Sequence, residues 1–326
     1  MSLPAERLGD PRPDRPSRPP VVLALVGPTA SGKTAIALEV APAVRAEIVS
    51  LDSMQVYRGM DVGTAKPTAA ERAKVPHHMI DVADPADPYS VAAFQGTARA
   101  VIDAILLRGR VALLAGGSGL YYRAVVDELS FPPTDPRVRA AIANDEPADL
   151  AARLQESDPE AAARIEPGNV RRVIRALEVM QLTGRPFSEF RTAWDAYESR
   201  YDLVVAGLDV ERETLAHRIR ERTDAMFARG LIDEARSLLE RGLRGALTAS
   251  RAIAYPEAVA VVDGAMTDPE ARAQIVRNTL RFARRQMSWF RADPRIRWFD
   301  GSQTGRAVTE IRAYYEDEIA RRTAEE

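Results

Sequence analysis

The segment GPTASGKT, at positions 27–34, matches in full the pattern G-x-x-x-x-G-K-[ST], which binds phosphate groups. Its glycines let successive backbone N–H groups face one point, and a following helix adds the partial positive charge of its N-terminus. In this pattern Lys33 contacts the terminal phosphate, and Thr34 is a ligand of Mg²⁺. The residues predicted to bind the diphosphate or nucleotide are Gly27, Pro28, Thr29, Ala30, Ser31, Gly32, Lys33 and Thr34.

The pattern specifies a di- or triphosphate with Mg²⁺, but neither a base nor the fate of the phosphate. The sequence contains no Asn-Lys-x-Asp motif for guanine. The third predicted strand runs into Gly116 and Gly117, where a motor or switch ATPase carries an aspartate. These observations disfavour an ordinary ATPase or GTPase, and they leave a small-molecule kinase open.

Asp52 directly follows the second predicted strand, so we expect its carboxylate at the edge of the sheet where ligands bind. A carboxylate one strand away from a phosphate site can act as a general base or hold Mg²⁺ through water. The position also suits the N-cap of a helix, and the residues alone leave both interpretations open. After the third strand, Ser118 adds a hydroxyl group in a glycine-rich turn.

A parallel sheet would bring these residues to one edge, and the hydrophobic pattern predicts such a sheet. Apolar runs typical of strands buried on both faces occur at 21–26, 47–51, 110–115 and 201–208. Helical patterns accompany them at 35–46, 89–109, 211–242 and 268–291. Residues 137–190 lack strand signals, so we expect a helical insertion in an open α/β sheet.

The composition is that of a globular protein, with 46% hydrophobic and 28% charged residues among 326. A formal net charge of -2 means that any surface for nucleic acid must be a local patch. The absence of cysteine excludes disulfides, thiolate metal sites and a cysteine nucleophile. No apolar stretch is long enough to span a membrane, and the proline- and arginine-rich residues 1–20 lack the apolar region of a secretory signal. We therefore expect a disordered N-terminal tail, no membrane contact and a cytoplasmic location.

Two arginine-rich helices supply candidate local patches. On the helix predicted at 268–291, a basic face runs beside an apolar stripe and contains Arg277, Arg281, Arg284 and Arg291. On a second helix, Arg171 and Arg175 lie one turn apart. Together with Trp289 and Trp298 as stacking partners, these faces indicate an RNA or DNA surface. A solvated helix face with acidic neighbours is the alternative, and it stays open.

The chain resembles the bacterial tRNA dimethylallyltransferases between residues 21 and 300, in the order and spacing of GPTASGKT, DSMQVYRGMDVGTAKP, HHMID, GGSGLYYRA, RRVIRALEV and RFARRQMSWFR. Enzymes of that family move a dimethylallyl group from its diphosphate to the N6 amine of the adenosine just 3′ of the anticodon. The resemblance implies an α/β fold, a P-loop NTPase-like parallel sheet core with a helical insertion domain. It implies Mg²⁺, dimethylallyl diphosphate and the tRNA anticodon stem-loop as ligands, with no obligate protein partner.

By position in these segments, the resemblance implies three catalytic residues, Asp52, Lys33 and Arg222. Asp52 would take the proton of the adenine amine, and Arg222 would neutralise the diphosphate. The resemblance, together with the basic face for the last two, predicts that tRNA is bound by Asp52, Ser53, Met54, Gln55, Ser118, Arg139, Arg171, Arg172, Val173, Ile174, Arg175, Arg251, Tyr255, Arg281 and Arg284.

We expect five segments along the chain. A tail at 1–20 precedes the first part of the core at 21–126, and a helical insertion for the anticodon stem occupies 127–200. Residues 201–315 return to the core and add the basic helices, and 316–326 form a second tail.

The chain departs from the family at residues 253–257, which read IAYPE where the family usually has Ile-Gly-Tyr-Lys-Glu. Ala254 is disfavoured if the backbone there needs a positive φ, and Pro256 removes a cation and a backbone N–H. Three other functions stay open: an isopentenyltransferase acting on free adenine nucleotide, a small-molecule kinase in which Asp52 activates a hydroxyl, and an RNA-binding protein in which Asp52 is only a cap.

Overall fold

The computed structural model describes residues 21–166, 168–191 and 196–324, so the tail predicted at 1–20 lies outside the described residues. Contacts divide the described residues into two compact units. The first contains the described residues up to 88, 100–119 and those from 200 onward, and the second contains 89–99 and the described residues between 120 and 199. Among the described residues, no helix combines the length and apolar character needed to cross a membrane.

The first unit contains a six-stranded sheet in the order β3-β2-β4-β1-β5-β6, in which every neighbouring pair is parallel. Its strands are β1 (Val21–Val26), β2 (Ala46–Ser50), β3 (His77–His78), β4 (Val111–Gly116), β5 (Asp202–Asp209) and β6 (Ile296–Asp300). The predicted α/β class is confirmed. Because all strands run the same way, the segments after β1, β2 and β4 meet at one edge.

Helices follow most strands. In chain order they are α1 (Lys33–Ala43), α2 (Ala69–Lys74), α3 (Val91–Leu107), α4 (Gly119–Val126), α5 (Pro136–Ile142), α6 (Pro147–Ser157), α7 (Pro159–Ala162), α8 (Val170–Thr183), α9 (Arg212–Ala228), α10 (Leu231–Glu240), α11 (Tyr255–Val262), α12 (Asp268–Arg291) and α13 (Thr304–Ala324). Short 3₁₀ turns lie at Phe187–Arg191, Leu243–Gly245 and Ala249–Arg251. The helix predicted at 211–242 is divided between α9 and α10, because Gly230 adopts a φ of 88°.

The sheet core is closed by α1 and α13. Ile36 of α1 and Ile311 of α13 lie with Leu25 of β1 in one buried cluster. The hydroxyl of Tyr315 donates to the carbonyl of Ala24 at 2.7 Å, which ties α13 to the central strand.

The tail predicted at 316–326 is wrong for its described part, because α13 continues to residue 324. Tyr315 is fully buried just before the predicted boundary. Near the end of the helix, Arg322 donates to the carboxylate of Asp202 at 2.9 Å and also pairs with Glu318. These contacts hold the last turns of α13 as helix.

The second unit is helical and has its own apolar core, to which α5, α6 and α8 contribute Ile142, Leu150 and Val173. Its start differs from the predicted residue 127. Residues 89–99 belong to it because Gln95 donates to the carbonyls of Ala124 and Leu129, both at 2.7 Å. The boundary therefore depends on contacts of α3, which sequence composition does not reveal.

Candidate active site

Two cavities adjoin at the edge of the sheet where the parallel strands end. A polar cavity of about 650 Å³ is lined by residues 29–35 and by the segments that follow β2 and β4. An apolar cavity of about 250 Å³ is lined by Met54, Ile219, Met226 and Phe282, among others. The residues that line both cavities are Thr29, Asp52, Thr64, Arg222, Phe282 and Gln286.

The predicted phosphate segment forms one wall of the polar cavity. Gly32 is the N-cap of α1 with a φ of 93°, a conformation that L side chains rarely adopt. Thr34, in the first turn of α1, has an exposed side chain that faces the polar cavity. The strand, the turn and the helix start are therefore arranged as the sequence pattern requires.

Lys33 lies over its own loop, where its Nζ donates to the carbonyls of Gly27 at 3.0 Å and Pro28 at 2.6 Å. Burial, followed by repulsion from Arg222, lowers the pKa of Lys33 from 10.5 to about 7, and Asp52 partly opposes this shift. Two cations therefore face one carboxylate in a partly desolvated site. Such a site favours an anionic ligand, which would supply the missing negative charge.

Arg222 projects from α9 into the junction of the cavities. It donates from Nη1 to the hydroxyl of Thr29 at 3.0 Å and from Nη2 to the carbonyl of Thr64 at 3.4 Å. Burial lowers the pKa of Arg222, and the charge of Asp52 acts in the opposite direction. Because a guanidinium group keeps its proton, Arg222 brings a positive charge to the wall shared by both cavities.

Asp52 holds the turn that follows it and also retains a free acceptor. Its Oδ1 accepts from the backbone N–H of Met54 at 2.8 Å and of Gln55 at 3.4 Å. Among the described residues, no donor contacts Oδ2. The predicted helix N-cap is wrong, because residues 53–56 form a turn and no helix begins there. Oδ1 holds this turn instead, and Oδ2 is available to an incoming group.

The apolar cavity brings together five of the residues predicted to bind tRNA: Asp52, Ser53, Met54, Ser118 and Arg251. Gln55 differs, because its side chain is buried in the wall. Its Oε1 accepts from the hydroxyl of Ser50 at 2.9 Å, and its Nε2 donates to the carbonyl of Thr64 at 3.4 Å. The structure thus places Gln55 as a support of the site, facing the polar cavity.

Residues of the second unit predicted to bind tRNA fall into three groups. Arg171 and Arg172 are exposed on α8. Val173 and Ile174 pack in the core of the unit, and Val173 is only 2% exposed, so its side chain offers no contact surface.

Arg139 and Arg175 share the carboxylate of Glu178, which has no exposure, and each reaches Glu178 Oε2 at 2.8 Å. Arg175 also donates to the carbonyls of Pro132 and Pro133. Their pairing with a buried acid gives both arginines a role in holding the loop before α5.

Tyr255, Arg281 and Arg284 lie outside the two cavities. Tyr255 is fully buried, so the predicted tRNA contact by its side chain is not supported by its position. Arg281 and Arg284 are exposed on α12, and Arg284 lines a separate groove. That groove and the cavities use different sides of α12, because Gln286 faces the cavities.

Two residues that the sequence did not predict for the site, Gln286 and Arg218, hold the phosphate segment. Gln286 of α12 is buried, and it accepts from the N–H of Thr29 and donates to the carbonyl of Gly117, each at 2.8 Å. Arg218 of α9 donates to the carbonyls of Ser31 at 3.5 Å and Gly301 at 2.9 Å. For Gln286, the signal in the sequence is that a polar residue stands among the apolar residues on the buried face of α12.

Replacing Gln286 by leucine is expected to destabilise the protein by about 2 kcal/mol, because the partly buried N–H of Thr29 and the buried carbonyl of Gly117 would both lose their partners. The change also loosens the phosphate segment, so the Kd for diphosphate should rise. Chemical denaturation gives the free energy of unfolding. Gln274→Leu on the same helix is the matched control, since Gln274 is only partly buried. Equal losses in both variants would contradict the bridging role.

The segment 253–257, which differs from the usual family sequence, is strained at one residue. Ala254, the N-cap of α11, has a φ of 85°, which confirms that the backbone needs a positive φ at this position. Pro256 occupies the first turn of α11, where backbone N–H groups have no partner within the helix. Proline therefore breaks no helical hydrogen bond here, and the strain resides in Ala254.

We expect Ala254→Gly to stabilise the protein by about 1 kcal/mol, because glycine relieves the left-handed conformation of an L side chain. Thermal or chemical denaturation measures the change. Ala260→Gly in the middle of α11 should have the opposite sign and cost about 1 kcal/mol. If both substitutions destabilise the protein, Ala254 is not strained.

The sequence is similar to known families and proteins. Residues 55–293 match the model of the IPP transferases, and residues 20–82 match that of the isopentenyl transferases. A tRNA dimethylallyltransferase of Salinispora arenicola is 50% identical over 296 residues, covering 90% of this chain and 86% of that protein. A tRNA dimethylallyltransferase of Streptomyces avermitilis is 50% identical over 287 residues, covering 87% of this chain and 91% of that protein.

Two solved structures are also similar to this chain. The full-length tRNA isopentenylpyrophosphate transferase from Bacillus halodurans matches with a TM-score of 0.70 at 40% identity, over 94% of this chain and 99% of that chain. A eukaryotic dimethylallyltransferase acting on tRNA matches with a TM-score of 0.81 at 23% identity, over 93% of this chain and 80% of that chain. The latter similarity concerns the fold alone.

Proposed function

Since the chain belongs to the IPP transferase family, we propose that it transfers a dimethylallyl group to the N6 amine of the adenosine 3′ of the anticodon in tRNA. It is a transferase that prenylates tRNA. We take dimethylallyl diphosphate as the donor and the anticodon stem-loop as the region of tRNA that is bound. The predicted cytoplasmic location stays a prediction.

The junction of the two cavities is the observation that carries this proposal. A cationic cavity and an apolar cavity share Thr29, Asp52 and Arg222. A diphosphate bound by the phosphate segment would place its ester carbon at this junction, next to apolar walls suited to a five-carbon group. The adenine amine would approach from the apolar side, after the base leaves its stack at a cost of a few kcal/mol.

The reaction needs charge stabilisation more than a strong nucleophile. The carbon–oxygen bond of the donor breaks as the N6–carbon bond forms, and the diphosphate leaves with the electron pair. Lys33, Arg222 and the amides of residues 30–34 stabilise the growing negative charge. Asp52 accepts the amine proton on Oδ2, while Oδ1 keeps holding the turn.

The donor set of the polar cavity fits Mg²⁺. Thr34 would hold the ion together with diphosphate oxygens, because Mg²⁺ prefers hard oxygen ligands and keeps several waters. Within the described ranges, no group of three or more His, Cys, Asp or Glu residues could hold a metal. When bound, Mg²⁺ would neutralise charge on the diphosphate.

The second unit has a role in this proposal through its exposed arginines. The side chains of Arg171 and Arg172 on α8 have no hydrogen-bond or ion-pair partner among the described residues. Such arginines can bind the phosphates of the anticodon stem, and this contact would weaken with salt.

A mass-spectrometric assay tests the function. Purified protein is incubated with Mg²⁺, dimethylallyl diphosphate and an unmodified anticodon stem-loop, and a C5H8 increment is expected on the stem-loop. A stem-loop with guanosine at the target position is the control and should gain nothing. An increment on AMP alone would assign the protein to free nucleotides. ATP turnover without any increment would favour a kinase.

A further inference from the structure

A carboxylate outside both cavities holds the loop between β2 and α2. Glu234 of α10 is partly buried, and its Oε2 accepts from the backbone N–H groups of Asp61 at 2.9 Å and Val62 at 2.7 Å. Its Oε1 accepts from the N–H of Gly63 at 3.1 Å and from the hydroxyl of Tyr255 at 2.7 Å. One side chain thus fixes three successive amides, which is how backbone nests hold anions.

Tyr255 closes this loop from the side of α11. A Cβ atom at Gly63 would lie 2.6 Å from the Tyr255 ring, so only glycine fits there. Burial and the charge of Glu234 raise the pKa of Tyr255 well above its usual value, so its hydroxyl stays a donor. Glu234 and Tyr255 therefore hold the loop through both its amides and its close packing.

The next residue of the loop leads to the reacting centre. The carbonyl of Thr64 accepts from Arg222 Nη2 and from Gln55 Nε2, each at 3.4 Å. Both bonds are close to the upper limit for a hydrogen bond, so a small shift of Thr64 would change both. Thr64 also lines the polar and the apolar cavity.

We infer that Glu234 is a positioning residue that, through the loop and the Thr64 carbonyl, orients Arg222 toward the diphosphate. The inference rests on the proposed role of Arg222. A carboxylate is needed because four donors converge on its two oxygens. Glutamine offers only one acceptor oxygen, so it would leave part of the loop unheld.

Binding of inorganic diphosphate with Mg²⁺, measured by calorimetry, tests this inference. Glu234→Gln is expected to raise the Kd about tenfold and to leave the affinity for the anticodon stem-loop unchanged. Asp233→Asn is the matched control, because Asp233 is the preceding residue on α10 and its side chain is 80% exposed. The control should bind diphosphate like the wild type.

A double-mutant cycle separates positioning from a general structural effect. In an Arg222→Ala background, Glu234→Gln should cause no further rise in Kd. A second tenfold rise in that background, or an unchanged Kd in the single variant, would overturn the inference. If Glu234→Gln fails to fold, Tyr255→Phe is the second test of the inference. This variant removes the hydroxyl that donates to Glu234 and keeps the aromatic ring. We expect it to raise the Kd about threefold, and unchanged binding would count against the inference.

Prenyl transfer by the wild type to the stem-loop tests the proposed function separately. If transfer occurs and Glu234→Gln binds diphosphate normally, only the inference fails. If the wild type binds diphosphate but transfers nothing, the proposed function fails, and the ratio of Kd values still tests Glu234.

Discussion

Replacing Asp52 by asparagine is expected to lower kcat for prenyl transfer by about 10²–10⁴-fold, with little change in the affinity for tRNA. Asparagine keeps an oxygen that can accept from the Met54 and Gln55 amides, so the turn after β2 should persist. It cannot take a proton from the adenine amine. Single-turnover transfer to the stem-loop, followed by mass spectrometry, measures the loss.

Asp52→Ala separates the two roles of this residue. Alanine removes the acceptor that holds the turn as well as the base, so it should add a loss of stability of about 1 kcal/mol to the same loss of rate. Asp84→Asn is a surface control, since Asp84 is an exposed partner of Arg58. If Asp52→Asn stays within tenfold of the wild-type rate, Asp52 only holds the turn and is not the base.

The central strands could be predicted from the sequence because each is an apolar run buried on both faces. Observed β1, β2, β4 and β5 lie within one or two residues of the predicted runs. The edge strand β6 was missed, because only Ile296 and Phe299 are buried and the exposed Arg297 and Asp300 interrupt its apolar pattern. The two-residue β3 was missed because two histidines give no hydrophobic signal. Edge strands such as β3 and β6 form by pairing with one neighbouring strand, and the sequence does not show which strand that neighbour is.

The parts of the site that could be predicted are contiguous in the sequence. The phosphate segment and Asp52 each carry their signal within a few residues of a strand end. The supports Gln286 and Arg218 reach the same loop from 257 and 187 residues away, and no local pattern marks them. The burial of Tyr255 and Val173 was missed for a related reason. A family resemblance assigns a role to a position in the sequence, but it does not show in which direction the side chain points.

Arg222→Gln is expected to lower kcat/KM for dimethylallyl diphosphate by about 10²–10³-fold. Arg222 is the cation at the wall shared by both cavities, so its loss removes stabilisation where the bond to the leaving group breaks. Arg222→Lys keeps the positive charge but loses the forked contact with Thr29 and Thr64, so it should recover only part of the rate. Steady-state rates at varied donor concentration provide the measurement.

The matched control is Arg220→Gln, which removes the same charge from the same helix. Arg220 lines the separate groove and contacts neither cavity, so its loss should leave the donor kinetics near the wild-type values. If the effect came from a general loss of positive potential, kcat/KM would fall equally in both variants, because long-range steering depends on net charge and not on a particular guanidinium group. A loss confined to Arg222→Gln, and insensitive to added salt, would place the effect at the leaving diphosphate, because buried charges are screened less than exposed ones. Equal, salt-sensitive losses in both variants would contradict the proposed role of Arg222.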